Sequence, residues 1–129
     1  MEEELLDRLV DAATEAIAHS YSPYSGFPVG AAVLTGSGRI YAGTNIENAS
    51  YGATMCAERV AVFKAISEGE DKILALAVYT SAAGLAFPCG MCLQVLSEFA
   101  EDIPVILAGD AEMRTYRLAE LLPHRFGEE

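Results

Sequence analysis

Between residues 3 and 18 the apolar side chains Leu5, Leu9, Ala12, Ala13, Ala16 and Ile17 recur three or four positions apart, with acidic residues between them. That period lays one apolar stripe along a helix, so the spacing predicts a first helix over 3–18. Tyr21-Ser22-Pro23-Tyr24-Ser25-Gly26-Phe27-Pro28 cannot extend it, because two prolines and a glycine remove donors and favour turns. It reads as an ordered loop rich in rings. Residues 29–34 and 39–46 are apolar and β-branched runs separated by Thr35-Gly36-Ser37-Gly38, the pattern of a β-hairpin. Residues 45–52 then leave the sheet edge.

Thr54 is the predicted N-cap of a second helix reaching about Ser67, with Val60, Phe63 and Ile66 following Cys56 on its inward side and Gly69 ending it. Residues 73–80 are almost continuously apolar, as in a strand covered on both faces. Pro88 suits a first helical position and opens a helix to about Ala100, with Cys92, Val95, Leu96 and Phe99 inward. A buried strand over 103–108, a short strand over 113–118 and a final turn over 119–122 complete the pattern. This order predicts an α/β fold, a three-layer α/β/α domain on a mixed central sheet of about five strands, with right-handed crossovers. The 129 residues fit one domain over 1–129, without repeat, low-complexity segment or linker.

Composition narrows the partners. A hydrophobic fraction of 52% and a mean hydropathy of +0.25 are rich for a small domain, so part of the apolar surface is expected between subunits. The most apolar stretch, 73–87, is broken by Tyr79-Thr80-Ser81 and is shorter than the roughly 20 residues of a spanning helix, so no membrane partner is expected. A net charge of -11 with only 8 scattered Lys and Arg repels a phosphate backbone, which argues against nucleic acid. The acidic start Met1-Glu2-Glu3-Glu4 does not resemble a secretory leader. Three cysteines, an odd number, favour metal or catalytic use over a disulfide framework. A cytoplasmic location is the expectation.

The chemistry concentrates in two elements, Cys56-Ala57-Glu58-Arg59 and Pro88-Cys89-Gly90-Met91-Cys92. Each places sulfur at a predicted helix N-terminus, where the positive end of the helix favours the thiolate that a metal needs. Both helices follow strands, so their N-termini can meet at one sheet edge. Taken singly, each Cys could be a small core residue, and Cys89-x-x-Cys92 could be a redox pair or half of a structural zinc site. Structural zinc takes four protein ligands, whereas a catalytic site keeps three and an open position. A fourth ligand would have to be His19 or His124, both remote in sequence from the two motifs, so three ligands and an open position is the simpler reading. Glu58, two residues after Cys56, is poorly aimed at the same ion but can reach a molecule bound to it, as a proton shuttle must. A Cys/His-x-Glu element followed by Pro-Cys-x-x-Cys is the signature of the zinc deaminases.

The chain resembles the small homotetrameric cytidine deaminases of three-cysteine type. The resemblance runs from Tyr21-Ser22-Pro23-Tyr24-Ser25 and Phe27-x-Val29-Gly30-Ala31-Ala32, through Asn45-Ile46-Glu47-Asn48-x-Ser50-Tyr51-Gly52 and both zinc motifs, to Leu121-Leu122-Pro123-x-x-Phe126. It implies one Zn2+ per subunit on Cys56, Cys89 and Cys92. Zinc-bound water would attack C4 of cytosine, with Glu58 moving protons to N3 and to the leaving ammonia. Asn45 and Glu47 match the positions that hold the sugar hydroxyls. Phe27 matches the ring that packs on the base, and Ala57 the backbone at the pyrimidine edge. Tyr51 and Phe126 match residues that complete a neighbouring subunit's pocket. The implied activity is hydrolytic deamination of cytidine and 2′-deoxycytidine in pyrimidine salvage. A carboxylate at Glu47 would repel a phosphate, which favours the free nucleoside. Three thiolates on Zn2+ leave one net negative charge, and Arg59, one turn along from Cys56, is placed to offset it. Leu93 departs from the family, which usually has Arg directly after the third cysteine. The rival readings are a deaminase of another aminopyrimidine, such as a cytosine-containing antibiotic, and a zinc module without catalysis.

Overall fold

A computed structural model describes residues 2–127; Met1, Glu128 and Glu129, which the predicted 1–129 domain includes, lie outside the described residues. Helix α1 (Glu3–Ala16) gives way at Ile17–His19 to a 3₁₀ turn, so the predicted stripe holds but its last two residues leave α geometry. Strands β1 (Val29–Thr35) and β2 (Ile40–Thr44) form the predicted hairpin. β2 stops before the predicted end because Ile46, one residue past the last rung from Asn45 N–H to Val29 O, pairs instead with Met55. Helix α2 (Ala57–Ser67), β3 (Ile73–Thr80), α3 (Gly90–Phe99), β4 (Pro104–Ala108), β5 (Met113–Arg117) and α4 (Leu118–Leu121) follow. Gly69, at φ +101°, reverses the chain after α2 as its position predicted.

The strands form one mixed sheet in the order β2-β1-β3-β4-β5, parallel only between β3 and β4. Because side chains alternate along a strand, β1 sends Val29, Ala31 and Val33 to one face and Ala32 and Leu34 to the other. The first set joins Leu76, Val78, Val105 and Leu107 under Ala57, Ala61, Val62 and Ala65 of α2 and Leu93 and Leu96 of α3. The second set joins Ala75, Ala77 and Ile106 under Leu9 and Ala13 of α1. These are the three predicted layers. Each large aliphatic so buried contributes about 1.5–3 kcal/mol. Two glycines set how closely the outer layers approach. A Cβ on Gly30 would lie 2.0 Å from Ala13 O of α1, and one on Gly43 would lie 2.6 Å from Ala61 N of α2.

The inward side of α2 follows the pattern except at Phe63. Val60 is half-buried against Gly43 and Ile66 is half-buried against the core, as expected, whereas Phe63 is 44% exposed. The fully buried positions are Ala57, Glu58, Ala61, Val62 and Ala65. On α3, Cys92, Leu93, Leu96 and Ser97 are buried, with Val95 and Phe99 partly so. No helix among the described residues is long and apolar enough to cross a membrane.

Candidate metal centre and active site

Topology decides where the two cysteine motifs meet. β2 and β3 are both antiparallel to β1 and therefore run in the same direction, with Thr44 and Thr80 ending beside Gly30 and Val29. α2 follows β2 and α3 follows β3, so both helices begin at one edge of the sheet, the carboxyl edge where α/β proteins place their ligands. The loop 20–28 enters β1 at the same edge. Buried hydroxyls tie it down, Thr44 Oγ1 donating to Val29 O at 2.9 Å and Thr80 Oγ1 to Pro28 O at 2.7 Å.

The helix starts correct two details of the pattern. The N-cap of α2 is Cys56 rather than Thr54, whose hydroxyl instead accepts the Asn48 N–H at 3.1 Å. Helix α3 begins at Gly90 with Cys89 as its N-cap, and Pro88 is buried just before it. Neither helix has a side-chain cap hydrogen bond among the described residues, so first-turn N–H groups remain free to face an anion. Sulfur therefore occupies both N-cap positions.

The Sγ atoms of Cys56, Cys89 and Cys92 lie within 4.8 Å of one another, with Cys89 and Cys92 at 3.4 Å. Zinc with bonds of about 2.3 Å in a tetrahedron separates its sulfurs by about 3.8 Å, a value between the shortest of these separations and their upper bound, so the trio fits one Zn2+ after small shifts. All three thiols are free. Convergence of all three favours a shared metal position over an isolated core cysteine or a simple pair. His19 and His124 do not join the cluster, which leaves three protein ligands and an open position.

Electrostatics around the trio is organised by Arg59 and by burial. Arg59 Nη2 donates to Cys56 Sγ at 3.4 Å. The Cys56 thiol is lowered to about 5, first by its contact with Cys92 and then by Arg59. Cys92, sharing that contact and buried, is raised, and the Arg59 guanidinium is raised by its bonds to sulfur. Arg59 Nε is buried without a partner, consistent with a guanidinium aimed at thiolates that gather around an ion. Glu58 is only 6% exposed, and burial pushes its carboxyl up to about 7, with the charge of Cys56 adding to the rise. Leu93 is buried in the core cluster with Ala57 and Leu96, and among the described residues Arg59 is the cation in hydrogen-bond contact with these sulfurs.

The remaining predicted residues gather unevenly. Mutual hydrogen bonds between Ile46 and Met55 lay Asn45 opposite Cys56 by antiparallel register. Asn45 Oδ1 accepts from Ser20 Oγ at 2.5 Å and Val29 N–H at 3.0 Å, while Nδ2 donates to Phe27 O at 2.9 Å. Glu47 lines a cleft with Tyr24, Ser25, Asn48, Tyr51 and Thr54, and hydrogen bonds led by the Ser25 hydroxyl hold its carboxyl below the usual range. Ala57 begins α2 and is fully buried. Phe27, Tyr51 and Phe126 are exposed, the last two at 76% and 90%. Two residues to which the sequence assigned no role support these groups. Ser25 bonds Glu47, and Gln94 clamps both backbone groups of Phe126 at 3.0 and 3.1 Å. Each contact joins segments more than twenty residues apart, and no local spacing signals it.

Comparison with known proteins points one way. The family described as "Cytidine and deoxycytidylate deaminase zinc-binding region" matches residues 3–108. A cytidine deaminase of Sporosarcina psychrophila is 46% identical over 128 residues, covering 96% of this chain and 93% of its own. One from Mycobacterium tuberculosis is 45% identical over 115 residues, covering 89% and 84%. The crystal structure of cytidine deaminase from Burkholderia pseudomallei matches with a TM-score of 0.88 at 38% identity, covering 98% of this chain and 100% of that one. Sequence, sheet topology and a three-sulfur centre thus agree, and the chain belongs to the cytidine deaminase family as a zinc-dependent hydrolytic deaminase.

Proposed function

We propose that residues 1–129 act as one deaminase domain that converts free cytidine and 2′-deoxycytidine, with water, to uridine and 2′-deoxyuridine plus ammonia. The observation that carries the reading is a buried carboxylate, Glu58, two residues from a cysteine that converges with two others on one metal position. Cys56, Cys89 and Cys92 would hold one Zn2+, which would supply the Lewis acidity that activates water near neutral pH. Glu58 accepts the proton that the attacking water gives up, passes it to N3 of the base, then takes the second proton and delivers it to the departing amine. A carboxyl raised to about 7 by burial can serve as base and then as acid near neutral pH. Arg59 offsets the thiolate charge.

Asn45 and Glu47 hold the sugar hydroxyls, Phe27 packs on the base, and first-turn backbone groups at Ala57 face the pyrimidine edge. A charged Glu47 repels phosphate, which selects nucleoside over nucleotide and nucleic acid. The exposed rings of Tyr51 and Phe126 complete the pocket of a neighbouring copy in a homotetramer. The reaction fits pyrimidine salvage in the cytoplasm. A substrate panel on zinc-replete protein tests the reading: cytidine and 2′-deoxycytidine lose their amino group, while cytidine monophosphate and a cytosine-containing antibiotic react far more slowly. Inert nucleosides beside a reactive antibiotic would move the activity to that other class. A monomer with full activity by sedimentation would sink the shared pocket.

A further inference from the structure

Glu47 is not a free carboxylate. Oε1 accepts two backbone N–H groups, from Tyr24 at 2.9 Å and Ser25 at 3.1 Å, and Oε2 accepts the Ser25 hydroxyl. Ser25 Oγ in turn accepts the Phe27 N–H at 3.0 Å. Gly26 makes this possible, since its φ of +66° turns the chain so that the amide of Phe27 points back at Ser25. The serine hydroxyl has one proton, given to Glu47, and one occupied lone pair, so its rotor has a single useful orientation. A carboxylate offers about four acceptor positions. Three are taken, and the open one is on Oε2, the oxygen that Ser25 holds. The carbonyl of Phe27 is meanwhile held by Asn45. The carbonyl of the proposed base-packing residue is thus tied to Asn45 directly, and its N–H is tied to Glu47 only through Ser25 Oγ.

We propose that Ser25 is a specificity-determining positioning residue, which leaves Glu47 one acceptor position for a single sugar hydroxyl and couples that position to the placement of Phe27. The inference rests on the reading of Glu47 as a sugar acceptor. Among the described residues Ser25 has its side-chain hydrogen bonds with Glu47 and Phe27 and none with the three cysteines or Glu58, so it acts on binding and discrimination and not on the chemical step. Loss of the hydroxyl leaves the Phe27 N–H without its partner and frees Oε2 to rotate away from its working orientation. The lowered carboxyl of Glu47, with Ser25 as the leading cause, is consistent with a carboxylate kept charged for this role.

The test is steady-state kinetics on cytidine and 3′-deoxycytidine for the wild type, Ser25→Ala, Ser25→Thr and Glu47→Gln. Ser25→Ala is expected to raise KM for cytidine about tenfold, as for losing a hydrogen bond to a charged group, with kcat within about twofold. It also narrows the preference for cytidine over 3′-deoxycytidine, and Ser25→Thr, which keeps the hydroxyl, restores both. A Ser25→Ala enzyme with wild-type KM and preference, beside a Glu47→Gln enzyme that loses them, overturns the role of Ser25 while the Glu47 reading stands. An equal rise in KM for both substrates in Ser25→Ala also overturns it, because that is the mark of a loosened loop without discrimination. If Glu47→Gln itself leaves KM and preference unchanged, the underlying reading of Glu47 fails and takes this proposal with it.

Discussion

Arg59 Nη2 donates to Cys56 Sγ at 3.4 Å, one helical turn along α2. With Leu93 turned into the core, this contact brings the guanidinium charge to bear on the thiolate cluster. Arg59→Ala should weaken zinc retention or activity roughly 10–100-fold, the usual effect of removing a partner of a metal ligand. Competition with a chelator, followed by zinc content and turnover, reads it. Arg59→Lys recovers part of the charge but not the forked donor geometry. A variant indistinguishable from wild type in both assays would remove Arg59 from the charge balance.

Glu58 contributes no sulfur and sits buried beside the metal position, so its loss should separate binding of zinc from catalysis. Glu58→Gln is expected to retain zinc at wild-type stoichiometry while turnover of cytidine falls by roughly 10²–10⁴-fold or more. Parallel metal analysis and an absorbance assay decide it, and near-normal turnover would contradict the proton-shuttle role.

In zinc-free protein the thiols should differ in reactivity. Cys56 is held down to about 5, whereas Cys92 is raised by its contact with Cys56 and by burial. The folded-state value of Cys56 lies below its ordinary one, so its stabilising contribution is present above the ordinary thiol range and is lost as pH falls through about 5. Alkylation of Cys56 should therefore proceed at pH 6, with Cys92 protected and Arg59→Ala shifting the Cys56 midpoint upward. Bound zinc should block the reaction, and acidification should release the metal, because each ligand must be deprotonated to bind. Mass mapping of alkylated peptides across pH gives the answer.

Gly30 lies where β1 meets α1, and an added Cβ would fall 2.0 Å from a backbone carbonyl. No rotamer relieves a clash with backbone. Gly30→Ala should lower stability by at least the roughly 1–3 kcal/mol typical of overpacking, measured by urea unfolding. Gly38→Ala, where no atom lies within 4 Å but φ is +89°, separates the cost of strain from the cost of contact.

The sequence by itself determined the elements and the chemistry. Apolar periodicity placed α1, the hairpin, β3 and β4, because each has a stripe or run that one face or both faces of the sheet must bury. Cys56-x-Glu58 and Pro88-Cys89-x-x-Cys92 named the metal ligands and the carboxylate, because zinc chemistry limits which residue types can serve. Only the tertiary structure decided that the two motifs meet, since this depends on β2 and β3 running in the same direction on either side of β1. It also decided that Ala57, Glu58, Ala61, Val62 and Ala65 are the fully buried positions of α2 and that Phe63 turns outward, because the buried face is set by how α2 lies over Gly43. The capping positions moved onto Cys56 and Cys89 for a related reason. Thr54 is drawn away by Asn48, and Pro88 precedes the first turn of α3. The ties from Ser25 to Glu47 and from Gln94 to Phe126 were invisible in the chain, because hydrogen bonds across more than twenty residues leave no periodic trace and exist only once the fold has closed.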